Sequence, residues 1–237
     1  MSRNRIATAV LVLVALGWMP AAAAAQSSLS INVGYFTVRG FDGRVPGDTL
    51  VANLDSPAPF ALDFRLKDFN NATIGAEWLF PIGTFLEGGV GVSYYQRTVA
   101  SRYADLVNDT SNSDISQDLR LRVVPITATV RFLPLGRRAA VQPYIGAGIG
   151  VLAWSYRESG DFVDASYNVF SDTFSQSGTA VGPVIMGGVR VPLSLNFALG
   201  GEVRYQKADA SLDANQFAGN RIDLSGVSYQ ANFVFRF

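Results

Sequence analysis

Glu77 and Glu87 stand equally far from Ile82, the middle of a Pro81-Ile82-Gly83 turn signal. If the flanking segments pair as strands, the two carboxylates face each other across one ladder, where like charges repel. Such repulsion is relieved by protonating one acid or by supplying a cation. Arg131 lies at similar depth on the next segment, and Arg190 and Arg236 lie at comparable depth further along. Glu202 and Arg204 share one face of the segment between those two arginines. These seven residues predict a buried charge network, with Arg131 bridging to Glu87 and Arg190 or Arg236 reaching Glu77. The chemistry open to them is ion pairing, which fixes register and closes an interior.

Other chemistry is poorly supplied. The chain has no His and no Cys. A Ser without a base partner is a weak nucleophile, and neither disulfides nor thiolates can form. Only hard oxygen donors remain for a metal. Glu158, Asp161 and Asp164, or Asp105, Asp109, Asp114 and Asp118, could supply them. Both sets sit in polar stretches and are expected to be solvated. Gly146, Gly148 and Gly150 alternate, but this is not a nucleotide fingerprint, since the spacing is wrong and no helix follows. Inward glycines would instead leave room in a narrow interior. No catalytic residue, cofactor or metal is expected. Acids and bases balance at 19 each with no basic block, which argues against nucleic acid as a partner.

The elements that would hold these residues are strands. In Ile222–Phe237, Val227, Tyr229, Ala231, Phe233, Phe235 and Phe237 alternate with Gly226, Ser228, Gln230, Asn232 and Arg236. Only a β-strand sends alternate side chains to opposite faces. Seven further segments read the same way: Ser27–Val38, Phe60–Phe80, Thr84–Val99, Asp118–Leu133, Val141–Arg157, Gly178–Val191 and Leu195–Ala208. The second is irregular at Asp68–Asn71, and Val123-Val124-Pro125 predicts a bulge in the fourth. Long connections, Arg39–Pro59, Ala100–Gln117, Glu158–Ser177 and Asp209–Arg221, alternate with short ones at Pro81–Gly83, Pro134–Ala140 and Pro192–Ser194. Tyr95, Tyr144, Trp154 and Tyr156 fall on the inward parity. Trp78, Phe80, Phe85, Phe132, Phe197, Phe235 and Phe237 band near the short turns, and Tyr35, Tyr94, Tyr205 and Tyr229 band near the long loops.

Arg3 and Arg5, the apolar run Ile6–Met19 and the small residues Ala21–Ala25 have the order of a secretory signal peptide. Cleavage after Ala25 would leave residues 26–237 as one domain with two more acids than bases. No later apolar run is long enough for a membrane helix. If the mature chain spans a membrane, it does so as a closed barrel.

In its aromatic C-terminal strand, alternating loop lengths and leader, the chain resembles the small eight-stranded outer-membrane β-barrels of Gram-negative bacteria. These include the OmpA transmembrane domain, OmpX and OmpW. The resemblance implies an all-β, closed, antiparallel up-and-down meander with apolar residues toward lipid and polar ones inward. It implies that Phe233, Phe235 and Phe237 are read by the barrel-assembly machinery, and that no second domain follows. A monomer is expected, surrounded by outer-membrane lipid and lipopolysaccharide, with an unidentified extracellular ligand. Arg97, Arg120, Arg122, Arg157 and Lys207 lie where lipopolysaccharide phosphates would be met. Lipid-A deacylases, omptins and outer-membrane phospholipases use a catalytic His that this chain lacks, so no enzyme is expected. The implied role is a structural or surface-interaction barrel with long external loops and a plugged lumen. A narrow porin or channel for small or hydrophobic solutes, as in OmpW, is the alternative.

Overall fold

The computed structural model describes residues 27–108 and 112–237. The leader expected over residues 1–25 lies outside the described residues. Eight strands form a wall: β1 (Ser28–Val38), β3 (Asn71–Ile82), β4 (Leu86–Asn108), β5 (Ser113–Phe132), β6 (Gln142–Val163), β7 (Val169–Pro192), β8 (Phe197–Gln206) and β11 (Gly226–Arg236). Three short strands, β2 (Leu62–Asp63), β9 (Asp209–Ser211) and β10 (Arg221–Asp223), lie in the long loops with one helix, α1 (Thr49–Leu54). Each wall strand has two antiparallel neighbours, and the pairing of β4 with β5 closes the eight into a ring. The first and last strands form the seam. They pair without a slip from Ser28↔Arg236 to Val38↔Gly226.

The outer surface carries a belt of large apolar side chains. Val33, Ile74, Val92, Ile126, Ile149, Ile185, Val203 and Phe233 are all exposed. A water-soluble monomer rarely shows so wide an apolar surface. Trp78 meets Phe237 edge-on at 5.8 Å and Phe197 meets Phe235 at 5.4 Å near the short turns. At the other rim Tyr35 pairs directly with Tyr229. Aromatic rings at both edges of an apolar band suit the two membrane–water interfaces.

Strands β4 to β7 run for 20 to 24 residues. A tilted strand needs only about 9–11 to cross a bilayer. The stretches Ala100–Gln117 and Glu158–Ser177, expected as loops, are therefore mostly strand. β4 stays paired with β5 as far as Asn108↔Ser113, and β6 with β7 as far as Val163↔Val169. In β4 and β5 the polar residues are the outer half of an alternation whose inner half, including Val99, Tyr103, Ile115 and Leu119, is buried.

The bulge expected at Val123-Val124-Pro125 is absent. Val92↔Ile126 and Tyr95↔Val123 share one register, and the ladder lapses only opposite Val124 and Pro125, which has no N–H to give. A register shift falls instead between Arg102 and Val107. What changes near Pro125 is the chemistry of the two faces. Below it, Ile126, Ala128, Val130 and Phe132 face out while Thr127, Thr129 and Arg131 are buried; above it, Arg120 and Arg122 face out while Leu119, Leu121 and Val123 are buried. The strand keeps its frame while the medium outside passes from hydrocarbon to water.

The segment from Phe60 does not extend β3, as the sequence reading expected. β2 pairs with Arg102 and Tyr103 of β4, a 3-10 turn covers Leu66–Phe69, and β3 begins at Asn71. Phe64 and Phe69 are buried in a cluster with Phe36, Tyr95, Trp154 and Tyr156. Phe64 and Phe69 thus help cap the long-loop end of the barrel.

Ile149, 54 % exposed at the middle of the β6 belt, tests the lipid assignment. Ile149→Arg is expected to lower stability by about 2–4 kcal/mol in urea titrations of protein folded into phospholipid vesicles. An unchanged midpoint would remove Ile149 from the lipid face.

Candidate functional site

Inside the belt the barrel is ionic. Glu87, Arg131, Gly146, Met186 and Arg204 are successive cross-strand partners along β4 to β8. Tyr144, Gly188 and Glu202 form a parallel row on β6, β7 and β8. Gly188 lets the Tyr144 ring lie across β7, since a Cβ there would come within 2.6 Å of the ring and hydroxyl. The hydroxyl then donates to Glu202 Oε2 at 3.0 Å. Gly89 does the same for Glu77: a Cβ would stand 2.5 Å from Glu77 Oε1, which instead accepts the Thr129 hydroxyl at 2.9 Å.

Arg131, 1 % exposed, lies 2.5 Å from Glu77, 3.0 Å from Glu202 and 3.7 Å from Glu87. Arg190 clamps Glu87 with both terminal nitrogens, at 2.7 and 3.2 Å. Arg204 joins Glu77 to Glu202 at 2.9 Å each. The Arg131 and Arg190 guanidiniums lie 5.0 and 5.6 Å from the Tyr144 ring centre, within cation–π range. Three carboxylates thus meet three guanidiniums.

The pairings agree in part with those read off the sequence: Arg131 does bridge to Glu87, at 3.7 Å, but its shorter contacts are to Glu77 and Glu202. Ile82 pairs with Leu86 around Gly83, Thr84 and Phe85, with Gly83 at φ +75°. That longer turn moves the hairpin centre to Thr84, so Glu77 faces Gly91 and Glu87 faces Pro81. The two acids do not oppose one another. Arg131 is nearest Glu77 rather than Glu87, and Arg190 serves Glu87. Arg236 stays at the short-turn mouth, donating to Gln142 Oε1 at 3.1 Å. Sequence reasoning missed Thr129, Tyr144 and Met186 as members, although their inward parity at matching depth was available.

A second ionic knot ties the long loops together. Arg44 and Asp48 pair at 2.6 Å with both side chains fully buried. Asp48 also accepts the Asp223 N–H at 2.7 Å and the Val51 N–H at 3.3 Å, so one carboxylate caps α1 and anchors the strand leading into β11. Above the belt Glu158 is buried and accepts from Asn53 and Tyr156. Asp164 is spent on its own turn. Asn168 donates to it from side chain and backbone and Ser166 from its backbone, which holds the carboxyl below its usual range.

Arg120, Arg122, Arg157 and Lys207 are exposed on the outer wall just above the belt. Arg120 and Arg157 are direct cross-strand partners. Arg97 separates from this group. It has the inward parity of β4 and donates to the Asp68 carbonyl at 2.8 Å. Phe233 and Phe235 lie in the apolar belt, and Phe237 ends the seam with its N–H on the Ser27 carbonyl.

A closed antiparallel wall with an apolar exterior and an ion-paired interior defines a transmembrane β-barrel. The family model for the outer membrane protein beta-barrel domain matches residues 8–237, and the chain belongs to that family. No curated protein matches it. Among solved structures it is similar to Ail, the attachment invasion locus protein of Yersinia pestis, at 16 % identity and a TM-score of 0.42, covering 90 % of this chain and 99 % of that one. It is also similar to Neisserial surface protein A (13 %, TM-score 0.45, covering 90 % and 97 %) and to a major outer membrane protein of Thermus thermophilus (14 %, 0.47, covering 90 % and 100 %).

Arg131→Met should destabilise the barrel by about 3–5 kcal/mol, because it leaves buried carboxylates without their shared cation. Adding Glu77→Gln should recover part of that loss. Urea midpoints of the parent, both single variants and the double variant measure the coupling; strict additivity would mean the two groups do not interact.

Proposed function

We propose that the protein is a surface-display barrel of a Gram-negative outer membrane, with a closed lumen, outward-facing long loops and no enzymatic activity. The observation that carries this is the Glu77–Arg131–Glu202–Arg204 cluster. It links β3, β5 and β8 at 2.5–3.0 Å inside the belt, so a permeating ion would have to break several charge–charge contacts. Eight strands leave an interior only wide enough for side chains. Above the cluster the apolar cap of Leu50, Phe64, Phe69, Tyr156 and Phe217 fills the mouth. The protein acts as a monomer. Its residues 1–25 are a signal peptide cleaved after Ala25, and Phe233, Phe235 and Phe237 are the strand read during barrel assembly.

The outer arginines fit lipopolysaccharide in this reading. Arg120 and Arg157 face each other across a ladder, where like charges repel and a phosphate between them would relieve the strain. Arg120→Ser with Arg157→Ser should reduce the stabilisation gained from lipopolysaccharide while leaving stability in phosphatidylcholine vesicles unchanged or slightly raised, since the repulsion is gone. Equal losses in both lipids would refute the assignment. For the closed lumen, planar bilayers should show only small or brief conductance events. A stable, large open state would overturn it in favour of a pore.

A further inference from the structure

A cavity of about 220 Å³ opens at the long-loop end, between α1, β2, the tips of β4 to β7 and the loop after β9. At roughly 30 Å³ per water it has room for about seven waters. Its walls mix aromatic and polar side chains. Phe60, Tyr103, Phe162 and Phe174 line it, the last two in edge-to-face contact at 4.9 Å. Glu158 lines the same space and is 5 % exposed. Its Oε1 accepts both available hydrogen bonds, from Asn53 Nδ2 and the Tyr156 hydroxyl, at 2.7 Å each.

Both of these bonds go to Oε1 and neither to Oε2, and no salt bridge among the described residues joins the carboxylate to a Lys or Arg. The other buried glutamates, Glu77, Glu87 and Glu202, each have an arginine. Burying a carboxylate without a counter-charge is costly. Gln117, 4 % exposed, also lines the cavity, and its side-chain oxygen is unpartnered among the described residues. Two oxygen acceptors and four aromatic rings therefore border one space, with no Lys or Arg lining it among the described residues.

We infer that this cavity binds a small aromatic amine, with one ring against Phe60, Phe162 and Phe174 and an ammonium group on Glu158 Oε2. The surface-display reading assigns no ligand to this cavity, so this goes beyond it. An ammonium supplies both the missing charge and several donors. Aromatic faces favour a neighbouring cation as well. Among the described residues no Lys or Arg lines the cavity, so a ligand that also carried a carboxylate would bury it unpaired. The site thus selects amines over zwitterionic amino acids.

The test is calorimetric titration of folded full-length barrel in micelles with 2-phenylethylamine. 2-Phenylethanol serves as the neutral control and phenylalanine as the zwitterionic one. The amine should bind saturably at one site, the alcohol about tenfold more weakly, and phenylalanine without saturation. Glu158→Gln keeps an acceptor for Asn53 and Tyr156. It should weaken the amine about tenfold and change the alcohol by less than about twofold. Failure of the amine to saturate, equal affinity for amine and alcohol, or an amine affinity unmoved by Glu158→Gln would each overturn the proposal. If that variant does not fold, the amine–alcohol comparison on the parent protein decides. Micellar titration is indifferent to conductance, so an open pore would refute the closed-lumen reading and leave this site standing.

Discussion

Backbone amides in hydrocarbon have no water to bond, so a sheet that crosses a membrane has to close on itself. In this chain closure rests on the β1–β11 seam, where the first and last wall strands pair over their full lengths. The narrow interior follows from it. With eight strands, whatever points inward at one level touches everything else there. Glycines at 89 and 188 yield space to Glu77 and Tyr144, and acids are matched by guanidiniums. The interior composition is thus a consequence of closure.

The same wall solves two solvent problems along one axis. Within the belt it is apolar outside and ionic inside. Above the belt β4 to β7 continue, with one register shift between Arg102 and Val107 of β4, and the faces exchange roles: Arg120, Arg122, Arg157 and Lys207 look outward, while Leu119, Leu121, Leu152 and Tyr156 pack inward. The upper half is built like a water-soluble barrel with an ordinary core, and the Arg44–Asp48–Asp223 knot pins its loops. Burial of Phe64 and Phe69 under the cap makes that half a continuation of the fold.

Much of this was legible because period-two alternation is a local property. The seam, the short turns and the inward parity of Glu77, Glu87, Arg131, Arg190, Glu202 and Arg204 could be read directly from the chain. Partner choice was not legible, because it depends on where a hairpin turns. A centre at Ile82 sets Glu87 against Glu77, whereas the actual centre at Thr84 sets Gly91 there. The upper strands were hidden by their own outer faces. Ser, Asp and Asn between 100 and 117 look like loop until the buried residues between them are counted as one face. The Asp48–Asp223 contact joins residues 175 apart, and no local pattern announces it.

The ionic filling also explains how a strand with one lipid-facing side keeps its orientation. In β5, Ile126, Ala128, Val130 and Phe132 are apolar, so apolar residues at Thr127, Thr129 and Arg131 would make both faces alike. A shift of one residue turns every side chain to the opposite face. With Arg131 in the row, such a shift would put a guanidinium into lipid and Val130 or Phe132 into the crowd of carboxylates. Apolar replacements of buried ion pairs are often neutral or stabilising, so stability alone does not account for this cluster. Its distinct contribution is to make the correct register differ sharply from its neighbours. Arg131 serves that purpose best because it contacts acids from β3, β4 and β8 at once, and no slipped arrangement of β5 keeps all three.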